Sequence, residues 1–164
     1  MICSFCLRPS EGTLCSKCSK SYLWDKKYKL FRRKGNKPNT KYKSQHTLYS
    51  VCKLLYGKVF QEVAFPRCYS EKGSLLRFDI YIPDKRILIE YQGDEHYKFI
   101  RFFHRTKREY KAMLRRDFTK KAFCVKYGYV FIEFTQKDNV SYPHEVKERI
   151  EDGIRAHRKK IRAH

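Results

Sequence analysis

The spacing of apolar residues predicts seven helices and strands after residue 44. Apolar positions three and four apart indicate a helix over residues 47–56, with Gly57 as its stop. Similar spacing predicts a long basic helix over about residues 105–127, ended by Gly128, and a last helix from residue 143 to about 160. Shorter apolar runs predict strands over residues 58–65, 75–82, 86–91 and 129–134. This order of elements predicts one α/β domain.

Composition supports a folded chain. Of the 164 residues, 41% are hydrophobic and 16% are aromatic, which excludes a disordered basic tail because such tails lack the side chains that build a core. No apolar run reaches the length of about 18 residues that a membrane span requires. The first residues have neither the basic start nor the apolar stretch of a secretory signal. We therefore expect an intracellular protein in a reducing compartment, such as host cytoplasm or nucleoid.

The charge is strongly positive. Lys and Arg number 38 against 17 Asp and Glu, which gives a formal charge of +21. Nucleic acid is the expected partner, because basic side chains that neutralise phosphates release condensed counterions. An anionic membrane surface is a weaker alternative, since the sequence has no clear basic amphipathic helix beside an apolar anchor.

Four of the seven cysteines form two closely spaced pairs. An odd total argues against a fully paired disulfide framework. Two C-x2-C pairs separated by eight residues can supply four thiolates to a tetrahedral Zn²⁺, a structural site with no open position. The alternative is two redox pairs or chance spacing. The remaining cysteines, Cys52, Cys68 and Cys124, lie among apolar neighbours and are expected in the core. The predicted zinc ligands are Cys3, Cys6, Cys15 and Cys18.

A basic and aromatic segment follows the cysteines. Residues 21–43 contain many lysines and arginines among aromatic rings, and their second half has the composition of a linker. The segment could follow a phosphate backbone, with rings available for stacking, or it could be a solvated linker. The predicted nucleic-acid contacts here are Arg32, Arg33 and Lys34. The expected division is a four-cysteine zinc-binding module over residues 1–20, a linker over 21–43 and a larger domain over 44–164.

Two carboxylates fall on neighbouring predicted strands. If Asp84 and Lys85 form a two-residue turn, paired positions sum to 169 and Asp79 lies opposite Glu90. Directly opposed residues have Cβ atoms roughly 4.5–5.5 Å apart, and two carboxylates at that distance repel each other. Mg²⁺ between them would remove the repulsion, because it prefers hard oxygen ligands. Surface carboxylates paired with Lys or Arg are an equally good interpretation of the spacing alone.

The hairpin residues extend this interpretation. Residues 77–84, followed by residues 89–97, resemble the core of the PD-(D/E)xK nuclease superfamily. Within it they are similar to the phage and giant-virus group related to very-short-patch-repair endonucleases and their homing-endonuclease relatives. Residues 117–120, with Cys124 and Gly128 before a closing strand, match the same group more loosely. The resemblance covers roughly residues 44–135. It implies a restriction-endonuclease-like mixed sheet flanked by helices, here with an N-terminal zinc ribbon or knuckle.

The resemblance also implies roles for residues. Asp79 and Glu90 would bind the catalytic Mg²⁺, which Mn²⁺ could replace, with help from the Tyr91 carbonyl. Gln92 stands where the superfamily usually has Lys, so it could position water but could not supply a positive charge. His96 matches the histidine of the repair-type site and is the candidate for proton transfer or phosphate contact.

The sequence offers further candidates for site residues. The first helix has Gln45 where relatives often have Glu, and Glu62 is a possible substitute. On the long helix, Asp117 and Lys120 match the family pattern, although an ordinary Asp117–Lys121 ion pair is equally compatible with the spacing. Helical periodicity puts Lys120 at the edge of a stripe formed by Tyr110, Leu114, Asp117, Lys121 and Cys124.

The expected activity is metal-assisted hydrolysis of double-stranded DNA by a phage or mobile-element nuclease of the homing or nicking type. One alternative is a non-catalytic nucleic-acid-binding protein on a degenerate nuclease fold, and another is a nickase specific for repair sites or junctions. A monomer and a homodimer are both compatible with the sequence. The arginines expected to contact the DNA backbone are Arg101, Arg105, Arg108, Arg115 and Arg116.

Overall fold

The computed structural model describes residues 1, 9–12, 14–33, 43–93, 98–101 and 104–163. These residues form a mixed α/β structure with one six-stranded sheet. Among the helices so described, none has the length and apolar character to cross a membrane. The helices and strands, in chain order, are α1 (Ser16–Ser21), β1 (Tyr22–Asp25), β2 (Leu30–Arg33), α2 (Lys43–Tyr56), β3 (Phe60–Tyr69), β4 (Leu75–Ile82), β5 (Ile87–Gln92), α3 (Lys107–Tyr127), β6 (Val130–Thr135) and α4 (Pro143–Arg162).

The strands follow one another across the sheet in chain order, from β1 to β6. Neighbours are antiparallel up to β5, whereas β5 and β6 are parallel and are connected through α3. A parallel pair requires such a crossover because a tight turn cannot join its ends. The mixed sheet predicted from the sequence is thereby confirmed at the level of α/β class.

Helices cover both faces of the sheet. On one face, α2 and α4 pack through Leu48, Val51 and Ile150 against alternate residues of β4, β5 and β6. On the other face, Phe123 and Cys124 of α3 pack into an aromatic core that includes Phe65, Phe78 and Tyr81. The alternation of side chains along a strand separates these two cores. Even-numbered residues of β5 and odd-numbered residues of β6 therefore face α3. The alternate residues of both strands face α2 and α4.

Local signals explain the limits of α3. Its N-cap is Thr106, whose hydroxyl accepts a hydrogen bond from the Glu109 backbone N–H at 3.2 Å. The Glu109 carboxylate accepts in turn from the Arg105 backbone N–H at 2.8 Å, which resembles a capping box. At the other end, Gly128 has φ of 70°, a left-handed conformation that glycine adopts without a Cβ penalty. The predicted stop at Gly128 is confirmed.

The predicted linker includes a hairpin of the sheet. Strand β2 pairs with β1 on one side and with β3 on the other, through Phe31↔Ala64 and Arg32↔Val63. Phe31 is fully buried, and its ring lies 4.3 Å from that of Trp24. Residues 22–33 are therefore part of the main sheet, which corrects their assignment to a linker. Trp24, Tyr28 and Phe31 of this segment pack here as core side chains.

Candidate active site

The β4–β5 register agrees with the prediction. The observed pairs are Ile80↔Ile89, Tyr81↔Leu88 and Ile82↔Ile87, and each sums to 169. The turn is longer than expected, since Pro83–Lys85 form one turn of 3₁₀-helix and Arg86 follows with φ of 53°. A four-residue connection and the expected two-residue turn place the same residues opposite each other. The assumption about the turn was wrong, but the register that followed from it is correct.

Asp79 lies just beyond the last of these pairs. Its Oδ2 accepts a hydrogen bond from the Tyr91 backbone N–H at 2.8 Å. The side chain therefore bridges from β4 to the residue directly after Glu90. This contact fixes the Asp79 carboxylate beside β5 at the level of Glu90.

The backbone is distorted next to Asp79. On β3, Glu62 has φ of 45° and lies between the pairs Gln61↔Ile80 and Val63↔Phe78. A glutamate in this left-handed region carries strain, and such strain often marks functional sites. Glu62 forms an ion pair with Arg77 at 3.6 Å. The structure thus gives Glu62 a cationic partner on β4, and its role as a third acidic ligand stays a prediction.

Glu90 and Lys120 form the centre of the candidate site. The Lys120 Nζ donates to both carboxylate oxygens of Glu90, at 2.9 and 2.8 Å. The side chains are 14% exposed for Lys120 and 6% exposed for Glu90, so water screens this ion pair poorly. Two elements thus bring together residues that lie 30 positions apart in the sequence.

The buried stripe of α3 differs from the predicted one. Met113 and Cys124 are buried, and Asp117 and Lys120 are partly buried between them. By contrast, Leu114 is 39% exposed and Lys121 is 48% exposed at its side chain. The prediction that Leu114 and Lys121 lie on the buried stripe was wrong, because the observed stripe passes through the preceding residues, Met113 and Lys120. Lys120 lies on the inner face because spacings of 3 and 4 alternate along a helix.

Negative charge dominates the electrostatics of the site. The pKa of Glu90 is raised from 4.5 to about 8, mainly by burial and also by the neighbouring Asp79, while Lys120 acts in the opposite direction. Burial lowers the pKa of Lys120, but the carboxylates of Glu90 and Asp79 outweigh this effect and raise it overall. Asp117 is a further negative charge near both groups. One ammonium group therefore faces three acidic side chains.

Gln92 and Glu133 extend the site along the sheet. Gln92 is 3% exposed, and its Nε2 donates to Glu133 Oε1 at 3.4 Å. The same Glu133 oxygen lies 2.9 Å from the Lys121 Nζ. The Gln92 Oε1 is buried and has no hydrogen-bond partner among the residues that the structure describes.

Glu133 was not among the predicted site residues. It is the direct partner of Glu90 in the parallel β5–β6 ladder, so both carboxylates lie on the α3 side of the sheet. The sequence does contain a signal, because Glu133 is the one charged residue in the apolar strand β6. Adjacent lysines of α3 bind these two carboxylates, Lys120 on Glu90 and Lys121 on Glu133.

The donor set is compatible with a hard divalent cation. The site offers carboxylate oxygens of Asp79 and Glu90 and the buried amide oxygen of Gln92, which lacks a donor among the described residues. Mg²⁺ commonly uses one or two carboxylates and keeps several waters. Among the described side chains, no group of three or more His, Cys, Asp or Glu is arranged to hold a metal ion. Among the described residues, the carboxylates that fit such a cation are those of Asp79 and Glu90.

Two of the four predicted zinc ligands lie outside the described residues. These are Cys3 and Cys6. Cys15 directly precedes α1, and Cys18 is buried within it. The zinc site accordingly stays a prediction.

The predicted histidine also lies outside the description. His96 belongs to residues 94–97, which are not described. A different histidine, His104, is buried in the connection before α3. Its ring stacks on Phe99 and contacts the edge of Tyr110, and its Nε2 lies 3.5 Å from the Met113 sulfur. These contacts make His104 a packing residue of this connection.

Most of the predicted DNA-contacting arginines are exposed. Arg115 forms an ion pair with Glu71 at 2.8 Å. Arg32 differs, because its guanidinium lies 4.7 Å from the Phe60 ring centre and its Nε is buried. Arg32 therefore packs on the sheet, and its contact with nucleic acid stays a prediction. Lys34 lies outside the described residues. The exposed arginines around the start and middle of α3 are Arg101, Arg105, Arg108, Arg115 and Arg116.

Comparisons with known proteins give three viral relatives. Uncharacterized protein 094L of Frog virus 3 (isolate Goorha) is 33% identical over 94 residues, which cover 55% of this chain and 61% of the relative. Uncharacterized protein 307L of Invertebrate iridescent virus 6 is 36% identical over 69 residues, or 41% of this chain and 35% of the relative. Uncharacterized protein 033L of Invertebrate iridescent virus 3 is 38% identical over 61 residues, which cover 37% of this chain and 31% of the relative.

The chain therefore spans less than two thirds of the length of each of these relatives. No family model matches it. No solved structure matches it either. The comparisons establish similarity to viral proteins and assign no activity.

Proposed function

We propose that this protein is a metal-dependent endonuclease that hydrolyses phosphodiester bonds of double-stranded DNA. The observation that carries the proposal is the convergence of Asp79, Glu90 and Lys120 at one point of the sheet. Two acidic side chains and a cation at such a point are the components that phosphodiester hydrolysis requires. The charge of +21 favours a polyanionic substrate.

Lys120 supplies the charge that Gln92 lacks. In the PD-(D/E)xK pattern the third position is usually Lys, and here it is the neutral Gln92. The ammonium of Lys120 reaches the same site from α3 and is held within 2.9 Å of Glu90. A cation fixed there stabilises negative charge that develops on the phosphate, and it costs little reorganisation at the moment of reaction.

Each residue then has a defined task. Asp79 and Glu90, with the Tyr91 carbonyl, would hold Mg²⁺, and Gln92 would orient the attacking water. A bound Mg²⁺ polarises the phosphate and lowers the pKa of water. Lys120 stabilises the phosphate charge, and the carboxylates of Glu90 and Asp79, with a smaller contribution from Asp117, raise the pKa of Lys120 and keep it charged. His96 remains the predicted proton-transfer residue. The zinc module and the exposed arginines bind the DNA backbone.

A plasmid assay tests this function. The full chain, incubated with supercoiled plasmid and Mg²⁺ or Mn²⁺, should produce nicked or linear DNA. Asp79→Ala, Glu90→Ala and Lys120→Met should each lower the rate about 10²-fold or more. Asp84→Ala is the matched control, because Asp84 is exposed in the turn between β4 and β5. Thermal unfolding of each variant separates lost chemistry from lost folding.

A second candidate is a nucleic-acid-binding protein without catalysis. The observation that favours it is the occupation of both Glu90 oxygens by Lys120, which already offsets the charge of Glu90 without a metal. Binding of DNA by the wild-type chain, with no cleavage in either Mg²⁺ or Mn²⁺, would support this candidate. A nickase for repair sites or junctions shares the proposed chemistry and would cut a branched or mismatched duplex in preference to plasmid.

A further inference from the structure

We propose that Glu133 positions the Gln92 amide so that its carbonyl oxygen becomes an additional ligand of the divalent cation. The inference rests on the proposed function, and it concerns two residues that the cleavage chemistry above leaves without a metal contact. Glu133 acts as a positioning residue in it, and Lys121 holds Glu133 in place.

The contact between Gln92 and Glu133 fixes the orientation of the amide. An ionised carboxylate only accepts hydrogen bonds, so the Gln92 nitrogen and not its oxygen must point to Glu133. The Nε2 to Oε1 distance is 3.4 Å. The Gln92 oxygen therefore points away from Glu133, to the other side of the amide.

That oxygen is buried without a donor. Gln92 is 3% exposed, and its Oε1 has no hydrogen-bond partner among the described residues. Nearly all buried polar atoms in proteins are satisfied, and an exception calls for an explanation such as a water or an ion. Gln92 lies two residues after Glu90, so their side chains share the α3 face of β5. A cation at Glu90 would satisfy the amide oxygen.

Lys121 holds the Glu133 carboxylate beside the Gln92 amide, which Glu133 positions. Its Nζ lies 2.9 Å from Glu133 Oε1, the same oxygen that faces Gln92. Glu90 and Glu133 are ladder partners, so their like charges lie on neighbouring strands. Because Lys121 binds Glu133, Lys120 can bind Glu90. The two lysines thus keep a metal-binding carboxylate separate from a positioning carboxylate.

Mn²⁺ affinity of the full chain, measured by titration calorimetry, tests the proposal. Glu133→Gln and Gln92→Leu should each weaken binding about 10-fold, the size of effect seen when residues that orient metal ligands are changed. The double variant should be no weaker than Gln92→Leu alone, since Glu133 acts through Gln92. Glu148→Gln makes the same chemical change on the exposed side of α4 and should leave the affinity unchanged.

Nuclear magnetic resonance gives a readout that does not depend on activity. Before metal is added, the Gln92 side-chain amide protons should be protected from exchange in the wild type and lose protection in Glu133→Gln. Addition of Mg²⁺ should shift the Gln92 Cδ signal together with the Asp79 and Glu90 carboxyl signals.

The possible results separate the two proposals. If Mg²⁺ shifts the two carboxyl signals and leaves Gln92 Cδ unchanged, the amide oxygen is not a ligand and this inference is overturned, while the nuclease proposal stands. Mn²⁺ affinity that is unchanged in Glu133→Gln leads to the same conclusion. A wild-type chain that neither binds Mn²⁺ nor cuts DNA overturns both proposals. Unfolding curves for each variant ensure that a weaker affinity reflects the site and not the fold.

Discussion

The pKa of Glu90 in the candidate site is raised well above its ordinary value. Its pKa of about 8 exceeds the ordinary value of 4.5, so the folded protein retains a proton that the unfolded chain releases. The stability contributed by this proton is complete below about pH 4.5 and is lost as the pH rises to about 8. Without metal, the protein should therefore become less stable across this range because of Glu90.

Asp79→Asn tests the contribution of the Asp79 charge to the raised pKa of Glu90. The substitution removes the neighbouring negative charge but leaves the burial of Glu90, so the pKa of Glu90 should fall while it stays above 4.5. A carbon-13 titration of the Glu90 carboxyl, followed from about pH 4 to about pH 10, measures the change. Asp84→Asn, in the exposed turn, should leave the titration midpoint where it is in the wild type. An unchanged midpoint in Asp79→Asn would show that Asp79 does not act on Glu90.

The sequence predicts some residues of the site better than others. Asp79 and Glu90 follow from strand alternation and a register that sums to 169, because hairpin pairing is local along the chain. Lys120 requires knowledge of how α3 is rotated over the sheet, and an error of one position exchanges it with Lys121. Glu133 comes beside Glu90 only through the parallel β5–β6 pairing, a long-range contact that local spacing does not encode.

At the level of elements, Gly153 lets α4 approach β6 closely. A Cβ at this position would lie 2.8 Å from both Cγ1 and Cδ1 of Ile132, closer than real Cβ contacts occur. Gly153→Val should therefore lower the free energy of unfolding by about 1–3 kcal/mol, the usual cost of overpacking. Ala156→Val, at an exposed site of the same helix, should lower it by only about 0.5 kcal/mol.

Urea denaturation of both variants measures these differences. Combining Gly153→Val with Ile132→Val, which removes the Cδ1 methyl, should recover part of the lost stability. A Gly153→Val variant as stable as the wild type, or more stable, would mean that helix propensity, which favours Val over Gly, and not contact with β6, decides the outcome.

The β1–β2 hairpin contributes a buried aromatic residue to the domain. Phe31 is fully buried against Trp24 and Ala64, so Phe31→Ala should cost about 3–5 kcal/mol of unfolding free energy. Leu23→Ala is the control, because Leu23 of β1 is 40% exposed. Circular dichroism in the far and near ultraviolet should show one shared unfolding transition that shifts in Phe31→Ala. A linker residue would leave that transition unchanged.

Most of the elements after residue 44 follow from their apolar spacing, and β4 has the predicted bounds of 75–82. Residues that end or begin helices made the bounds predictable, as with Gly128 after α3 and Pro143 at the start of α4. The hairpin of β1 and β2 was missed because its strands have four residues each and many charges, so its composition resembles that of a linker. Pairing with β3 stabilises these strands, and that contact is tertiary.

The whole molecule presents two different basic surfaces. Helix α3, which carries Lys120, lies on the sheet face that carries Glu90 and Gln92, whereas α4 packs on the opposite face. Both helices carry exposed cations, so the charge of +21 is compatible with binding of the proposed DNA substrate on either face. Cleavage at the candidate site requires the DNA backbone to lie on the α3 face. The arginines near α3 should then account for more of the salt dependence of binding than the cations of α4.

Two triple variants distinguish the faces. Each phosphate contact contributes about 0.9 to the slope of log affinity against log salt, so replacement of Arg105, Arg108 and Arg116 by glutamine should reduce the slope by up to about 2.7. The matched variant replaces Arg158, Lys159 and Arg162 of α4, which are also exposed, and should leave the slope close to that of the wild type. Fluorescence anisotropy with a short duplex, in Ca²⁺ to prevent cutting, measures both. Equal reductions would mean that DNA contacts both faces, and a larger reduction from the α4 variant would place the duplex away from Glu90 and contradict the proposed active site.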